Sequence, residues 1–515
     1  MHNTSTNINN KRIAKNTLLL YFRMLLIMAV TLYTSRVVLA TLGVEDFGIY
    51  NVVGGVVAMF GVISGSLSAA ISRFITYELG KGNKDRLRIV FSSSVLIQAG
   101  LAIFILILAE IAGVWFLNNK MNIPSERLDA ANWVLQCSIL TFMVNLISVP
   151  YNAAIIAHER MKAFAYVSIL EVVLKLVVVF VLYISLFDKL KVYAVLLVSV
   201  AIIIRLIYGC YCKKHFEECT FSFVYDPNVL KDIGGFAGWN FIGSASGVLR
   251  DQGGNILINM FCGPVVNAAR GIAFQVHTAI YGFITNFMTA LNPQITKNYA
   301  VGNREYLMFL LYQGARFSFY LLLLLSLPVL LNTHYILSLW LSTVPDHTVN
   351  FVRLVLIFAL SESISQPLIT VQNATGKIRN YQLAVGGIQM LNLPFSYLLL
   401  YMGFIPECVL IVAVMLSQCC LAVRLFMLRR TIGLSARNFM KKVYVNAVCV
   451  SVLSFVLPFW VNECLEESFV SFFINCILTL LCTSISILFV GCNHKEREKF
   501  LAKSISLYHK VIDKK

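Results

Sequence analysis

The sequence predicts an all-α polytopic membrane protein of fourteen spanning helices. They form two six-helix lobes related by a pseudo-twofold axis along the membrane normal, with two more helices at the C-terminal end. Three observations carry that expectation. Apolar residues fill 58 % of the 515 positions, against roughly 45–50 % in an ordinary soluble chain. They gather in segments near the ~20 residues that a helix needs to cross a bilayer. The Lys and Arg residues fall on alternate sides of those segments. Runs such as Val172–Leu186 do not alternate as barrel strands would. Helices are then the element that satisfies its own backbone in hydrocarbon.

In chain order, the first candidate span is 17–40, with Arg23 and Arg36 inside it. The second, 47–70, combines Gly54, Gly55, Gly61 and Gly65 with Asn51, Ser66 and Ser68, a small-polar stripe suited to close helix packing. The third, 89–117, contains Glu110, and the fourth, 130–157, contains Pro150. In the fifth, 163–186, Glu171 and Lys175 stand four apart, the spacing of an ion pair on one face. Arg205 sits near the inner end of the sixth, 189–210, where it can snorkel to lipid phosphate. The seventh, 236–259, carries Arg250 and Asp251; the eighth, 270–292, opens on Arg270; the ninth, 308–331, holds Arg316. Glu362 and Pro367 fall in the tenth, 351–372, and Pro394 in the eleventh, 380–402. The spans 407–426, 440–460 and 469–492 complete the set.

The formal charge is +17, which in a soluble chain would suggest nucleic acid. Its distribution argues for topology instead. With the N-terminus inside, 30 Lys and Arg fall in inner segments and 4 in outer loops, the positive-inside pattern, so both termini are expected in the cytoplasm. The basic stretch Arg424–Lys442 is expected at the inner surface, against anionic lipid. The expected division is a cytoplasmic tail 1–16, an N-lobe 17–210, a linker 211–235, a C-lobe 236–430, two added helices in 431–492 and a basic tail 493–515.

The chain repeats itself. Gly43 and Gly82-Asn83 recur as Gly263 and Gly302-Asn303 at an offset of 220. Pro150, Ala157, Arg160 and Lys162 recur as Pro367, Ala374, Lys377 and Arg379 at an offset of 217. Six spans per unit leave both units in the same orientation, which places the symmetry axis along the membrane normal.

Other chemistries find little support. The 13 Cys show no C-x-x-C or metal-ligand spacing, and no H-E-x-x-H occurs. No polar segment is long enough for an ATPase or other catalytic domain, so no enzyme and no cofactor are expected. What remains is the charge inside the spans. Each such residue costs roughly 2.5–3.5 kcal/mol on insertion scales, so it faces a bundle interior or water. Arg23, Arg36, Arg250, Arg270 and Arg316 are read as a cationic cavity, suited to a phosphate or another anion because guanidinium binds it bidentately. Neighbours one apart do not face each other, so Asp251 need not neutralise Arg250. Asp251, Glu362 and Glu110 are candidates for ion coupling, to Na⁺ or protons, or for the cavity wall. Glu110 is also placed to pair with Arg36.

Leu42-Gly43-Val44-Glu45-Asp46-Phe47-Gly48-Ile49-Tyr50, then Ile71-Ser72-Arg73-Phe74 and Gly82-Asn83, within the layout of twelve plus two spans, carry a resemblance. The chain resembles the prokaryotic polysaccharide flippases (O-antigen and capsule repeat-unit translocases) of the multidrug/oligosaccharidyl-lipid/polysaccharide exporter superfamily. That resemblance implies a bacterial cytoplasmic-membrane transporter. It would move an undecaprenyl-diphosphate-linked oligosaccharide by alternating access, for O-antigen, lipopolysaccharide or capsule biosynthesis. Its implied partners are the lipid-linked oligosaccharide, membrane lipids and other polysaccharide-assembly membrane proteins, with no nucleic acid. The alternative on the same fold is an ion-coupled multidrug or small-organic exporter. Such exporters commonly carry an acid in the N-terminal lobe, whereas the first span here carries arginines and no acid.

Overall fold

The computed structural model describes residues 16–31, 61–119, 125–220, 226–340, 344–464, 468–494 and 496–498, with single positions between 33 and 53 and Ile123. Among these residues all regular structure is helical. Ten helices are long and apolar enough to cross a membrane. Arg36, Gly43 and most of the Leu42–Tyr50 motif lie outside the described residues.

A short apolar helix, α1 (Asn16–Thr31), is followed by α2 (Gly61–Lys81) and α3 (Lys84–Leu108). α2 ends because Gly82 takes φ +72°, a left-handed turn that only glycine enters without strain. α3 begins because the side chain of Asn83 accepts the amide of Arg86 at 3.0 Å. α4 (Leu128–Ala157), α5 (Met161–Ile184) and α6 (Lys189–His215) follow. The outward faces of α5, with Val177, Phe180 and Ile184 exposed, are what lipid would cover.

Helical structure then runs without a break through α7 (Pro227–Val301). It cannot be straight. Arg270 donates to the backbone carbonyl of Asp251 at 3.0 Å, yet 19 residues of straight helix span about 28 Å. The chain therefore turns back between them, and α7 contains both the seventh and the eighth expected spans. It stops at Gly302, φ +80°, the same conformation as Gly82 at the repeat offset.

α8 (Arg304–Leu331) and α9 (Thr348–Thr375) precede α10 (Arg379–Met390) and α11 (Asn392–Tyr401), which are one expected span interrupted at Leu391. Pro394 explains the interruption, since its ring and missing amide disfavour the turn before it. α12 (Cys408–Ile432), α13 (Asn446–Cys464) and α14 (Phe469–Ser486) end the described helices. The most apolar stretches around α13 and α14 are only 28 % and 22 % buried, so most of their surface is left for lipid. They pack on each other and on α8. Buried amides pin them: Asn475 donates to Asn462 at 2.6 Å and to Asn332 at 3.3 Å.

The chain forms two compact units. The first comprises the described residues up to Ala245 with Thr289–Asn303 and Asn373–Gln382. Its core gathers Leu67, Ile71, Phe91, Tyr151, Ile204 and Ile378. The second comprises Ser246–Met288, Arg304–Gln372 and the residues from Leu383 onward, around Ile258, Phe351, Leu356, Leu400 and Val409. The boundaries differ from the expected lobes, because the first unit takes in three segments of the later half.

Two of those segments are held by exchanged clasps. Arg73 donates to the carbonyl of Ala374 at 3.1 Å, and a Cβ on Gly376 would lie 2.6 Å from its guanidinium. Glu159, between α4 and α5, accepts from Lys297 at 2.9 Å and from Gln294. Positions 159 and 376 are one repeat offset apart, and both are left-handed, at φ +58° and +74°. Gln294 and Lys297 stand one offset of 220 after Phe74 and Tyr77, the neighbours of Arg73.

Candidate substrate site

Arg250, Asp251 and Arg270 come together in the second unit, where the reversal of α7 lays its two legs side by side. Arg250 donates to both carboxylate oxygens of Asp251, at 2.9 and 3.2 Å. The pairing that adjacency left open is therefore made. Adjacent Cβ atoms do diverge, but the long arginine stem folds back along its own helix, and Phe358 lies under the guanidinium at 4.8 Å.

Arg270 is 2 % exposed. It donates to the Asp251 carbonyl and to the side-chain oxygen of Asn255, and it stacks on Phe274 at 4.8 Å. Gly254 makes the room, because a Cβ there would approach the guanidinium to 3.0 Å. Asn392 at the start of α11 and Val409 close the space, leaving a cavity of about 10 Å³, enough for about one water. The guanidinium groups thus border a small space whose other walls are largely apolar, from Phe274, Phe358, Leu410 and Ala413.

A polar ladder continues from it. His277 stacks on Tyr281 with ring centroids 5.1 Å apart, and Tyr281 accepts from Gln366 at 2.6 Å. Glu362, one turn before Gln366, pairs with Arg424 at 3.5 Å. Arg424 is 2 % exposed, so its expected place at the inner surface is corrected: this arginine is the buried partner of a buried acid. Three guanidinium groups against two carboxylates leave one formal positive charge in the cluster. Sequence reasoning missed Asn255, His277, Tyr281, Gln366, Asn392 and the role of Arg424. One signal was available: Arg270, Phe274, His277 and Tyr281 recur at steps of four, three and four, a single helix face.

The other expected residues lie elsewhere. Arg23 belongs to the first unit, donating to Ser168 at 3.2 Å and stacking on Phe164 at 4.5 Å. Arg205 lies over Tyr151 at 3.9 Å, in place of the expected reach toward lipid. Glu110 accepts from Gln136 at 3.0 Å, and its expected partner Arg36 lies outside the described residues. The expected pair of Glu171 and Lys175 is present at 2.7 Å.

Arg316, also expected at the cavity, is buried at a different set of partners. Its guanidinium binds Glu496 at 2.8 Å and the Gly491 carbonyl at 3.1 Å, tying α8 to the end of the last helix. Arg316→Ala is therefore expected to cost about 1.5–3 kcal/mol of stability, the worth of hydrogen bonds to a charged group. Thermal unfolding and transport measured on one preparation check this; a stable but inactive variant would return Arg316 to the substrate path.

Comparison with known proteins places this architecture. The polysaccharide biosynthesis protein family matches residues 13–299, more than half of the chain. The chain belongs to that family. The MatE family matches residues 252–398 of this chain, a stretch that includes Arg270 and Glu362. An uncharacterized membrane protein of Bacillus subtilis, EpsK, is 21 % identical over 309 residues, 60 % of either chain. The chain thus spans about three fifths of that relative's length.

Solved structures with the same fold include a MATE protein in the bent conformation. It has a TM-score of 0.73 at 14 % identity, over 85 % of this chain and 97 % of that one. A second is the Vibrio cholerae MATE transporter VcmN, with a TM-score of 0.68 at 16 % identity over 85 % and 99 %. A third is a MOP superfamily transporter from Pyrococcus furiosus, with a TM-score of 0.70 at 16 % identity over 82 % and 96 %. The fold is the one those multi-pass membrane transporters share. Among the described residues no three His, Cys, Asp or Glu side chains converge as a metal site would require.

Proposed function

We infer that the protein is an alternating-access flippase of the bacterial inner membrane. It carries an undecaprenyl-diphosphate-linked oligosaccharide toward the outer face for O-antigen, lipopolysaccharide or capsule assembly, with both termini cytoplasmic. The observation that supports this reading is the chamber of Arg250 and Arg270, with one positive charge in excess in its cluster. Held guanidinium groups at membrane depth favour a phosphate-bearing anion over a cationic drug. Membership of a polysaccharide biosynthesis family agrees with that choice. Other membrane proteins of polysaccharide assembly are the expected partners.

The second reading, export of a drug or small organic molecule coupled to Na⁺ or protons, is favoured by the fold neighbours, among them a multidrug resistance MATE family transporter. Asp251 and Glu362 would then be the coupling groups, and each is held by an arginine.

Proteoliposomes separate the two. Movement of a fluorescent lipid-diphosphate oligosaccharide between leaflets, without uptake of a cationic dye under a Na⁺ or proton gradient, is the expected result. Dye transport without glycan-lipid movement would assign the protein to the exporters.

A further inference from the structure

Two ion pairs stand at corresponding chain positions of the two units, and each joins the residues that precede two helices. In the first unit Arg127, just before α4, donates to Asp188, just before α6, at 2.8 Å, and also to the buried Asp46. In the second, His347, just before α9, binds Glu407, just before α12, at 2.8 Å. His347 follows Arg127 by 220 positions and Glu407 follows Asp188 by 219, close to the repeat offset. The fastening recurs with one change of chemistry. A guanidinium, which stays charged, gives way to histidine, the side chain whose charge ordinarily changes between pH 5 and 8.

The geometry makes Glu407 depend on that charge. Its side chain is 4 % exposed, and His347 and Asn350 both bond the same oxygen, Oε1, at 2.8 and 3.0 Å. Among the described residues the other oxygen, Oε2, is buried without a hydrogen-bond partner, and the ion-pair partner of this carboxylate is His347. A buried carboxylate left without its cation is costly. Cys262 on α7 and Cys408 at the start of α12 are the other titratable groups beside it. Asp346, in the same turn as His347, and Arg353, farther along α9, are exposed. The His347 side chain is 33 % exposed, open to protons from solvent. Its backbone is left-handed, at φ +67°, which is uncommon for a residue other than glycine. The pair thus fastens a turn that local sequence alone disfavours.

We propose that His347 and Glu407 form a proton-operated latch at the outer end of the second unit, closed when the exterior is acidic and loosened as its pH rises. The Arg127 latch of the first unit stays closed throughout. The sign follows from the charges. A protonated histidine paired with an ionised carboxylate stabilises the fold below the histidine titration, and that contribution is lost as pH rises through it. An acidic exterior therefore slows any step that parts α9 from α12. The outer placement rests on the topology given with the flippase reading; the latch itself does not.

Hydrogen exchange on the full chain in lipid nanodiscs tests this, with rates corrected for the intrinsic effect of pH. Between pH 6 and 8.5, protection of the amides at 351–354 and 410–413 is expected to fall roughly three- to tenfold, as for a partly buried ion pair. Protection at 131–134 and 192–195 is expected to hold, which makes the first unit the internal control. His347→Arg keeps a cation at the turn and is expected to abolish the fall. Glu407→Gln is expected to lower protection at both pH values and to abolish the difference between them. A fall of equal size in both units, or one that persists in either variant, overturns the proposal. The same exchange in proteoliposomes of one orientation, with pH changed on one face at a time, assigns the side. A response to the face that bears the tail 493–515 would overturn the outer placement. Glycan-lipid movement measured alongside bears on the flippase reading alone.

Discussion

Arg250→Ala and Arg270→Ala are expected to abolish glycan-lipid export while the protein still accumulates in the membrane. The arginines hold each other's surroundings in place: Arg250 covers the Asp251 carboxylate, and Arg270 takes the Asp251 carbonyl and the Asn255 oxygen. Truncating a buried, hydrogen-bonded charge costs about 2–5 kcal/mol of binding, a loss of roughly thirtyfold or more in affinity. Lysine in their place is expected to restore only part of the activity, since it returns the charge without the planar fork. Leaflet-exchange rates normalised to membrane protein level check both. Normal export by Arg270→Ala would remove the chamber from the substrate path.

Arg424→Ala is expected to have the largest effect on stability. With side chains 2 % and 13 % exposed, Arg424 and Glu362 are held by each other, and removing one leaves an uncompensated buried charge worth about 3–5 kcal/mol. The double variant Arg424→Met with Glu362→Leu is expected to recover most of that loss, because paired charges are replaced by packing of similar volume. Thermal unfolding in detergent reads the stability, and the same samples in proteoliposomes read transport. A single variant as stable as the unsubstituted protein would show that the pair is not mutually dependent. A double variant that is stable and transports normally would exclude Glu362 as a coupling group.

Features set by neighbouring residues were legible in the sequence. Gly82-Asn83 and Gly302-Asn303 foretold helix ends, because a left-handed turn needs glycine. The four-residue spacing of Glu171 and Lys175 foretold their pair. Proline was a poorer guide: Pro394 stands in the interrupted span, but Pro150, Pro293 and Pro367, also expected to interrupt or end helices, lie inside continuous ones. Features set by distant residues were not. Nothing near Arg316 points to Glu496, 180 positions later, and nothing near Arg424 points to Glu362, 62 positions earlier. A span reads as apolar whether its arginine faces lipid headgroups, a cavity or a buried acid; only the fold chooses among them. The adjacency rule left Arg250 and Asp251 open for a related reason. It compares Cβ directions, while the hydrogen bonds form at the far end of a flexible stem. The early start of α3, at Lys84 and not at 89, reflects a first turn that is helical yet too charged to count as span.

The clasps at Glu159 and Gly376 act as two restraints in parallel. For two such restraints of equal strength acting independently, free energies add and equilibrium constants multiply. Disabling one then leaves the square root of the full bias against parting the segments they join. Such redundancy explains why Glu159 can occupy a backbone geometry that costs a non-glycine residue about 1–2 kcal/mol: its carboxylate offsets the strain through Lys297 and Gln294. It also gives the molecule a graded response to damage at either clasp, where a single fastening would have only two settings.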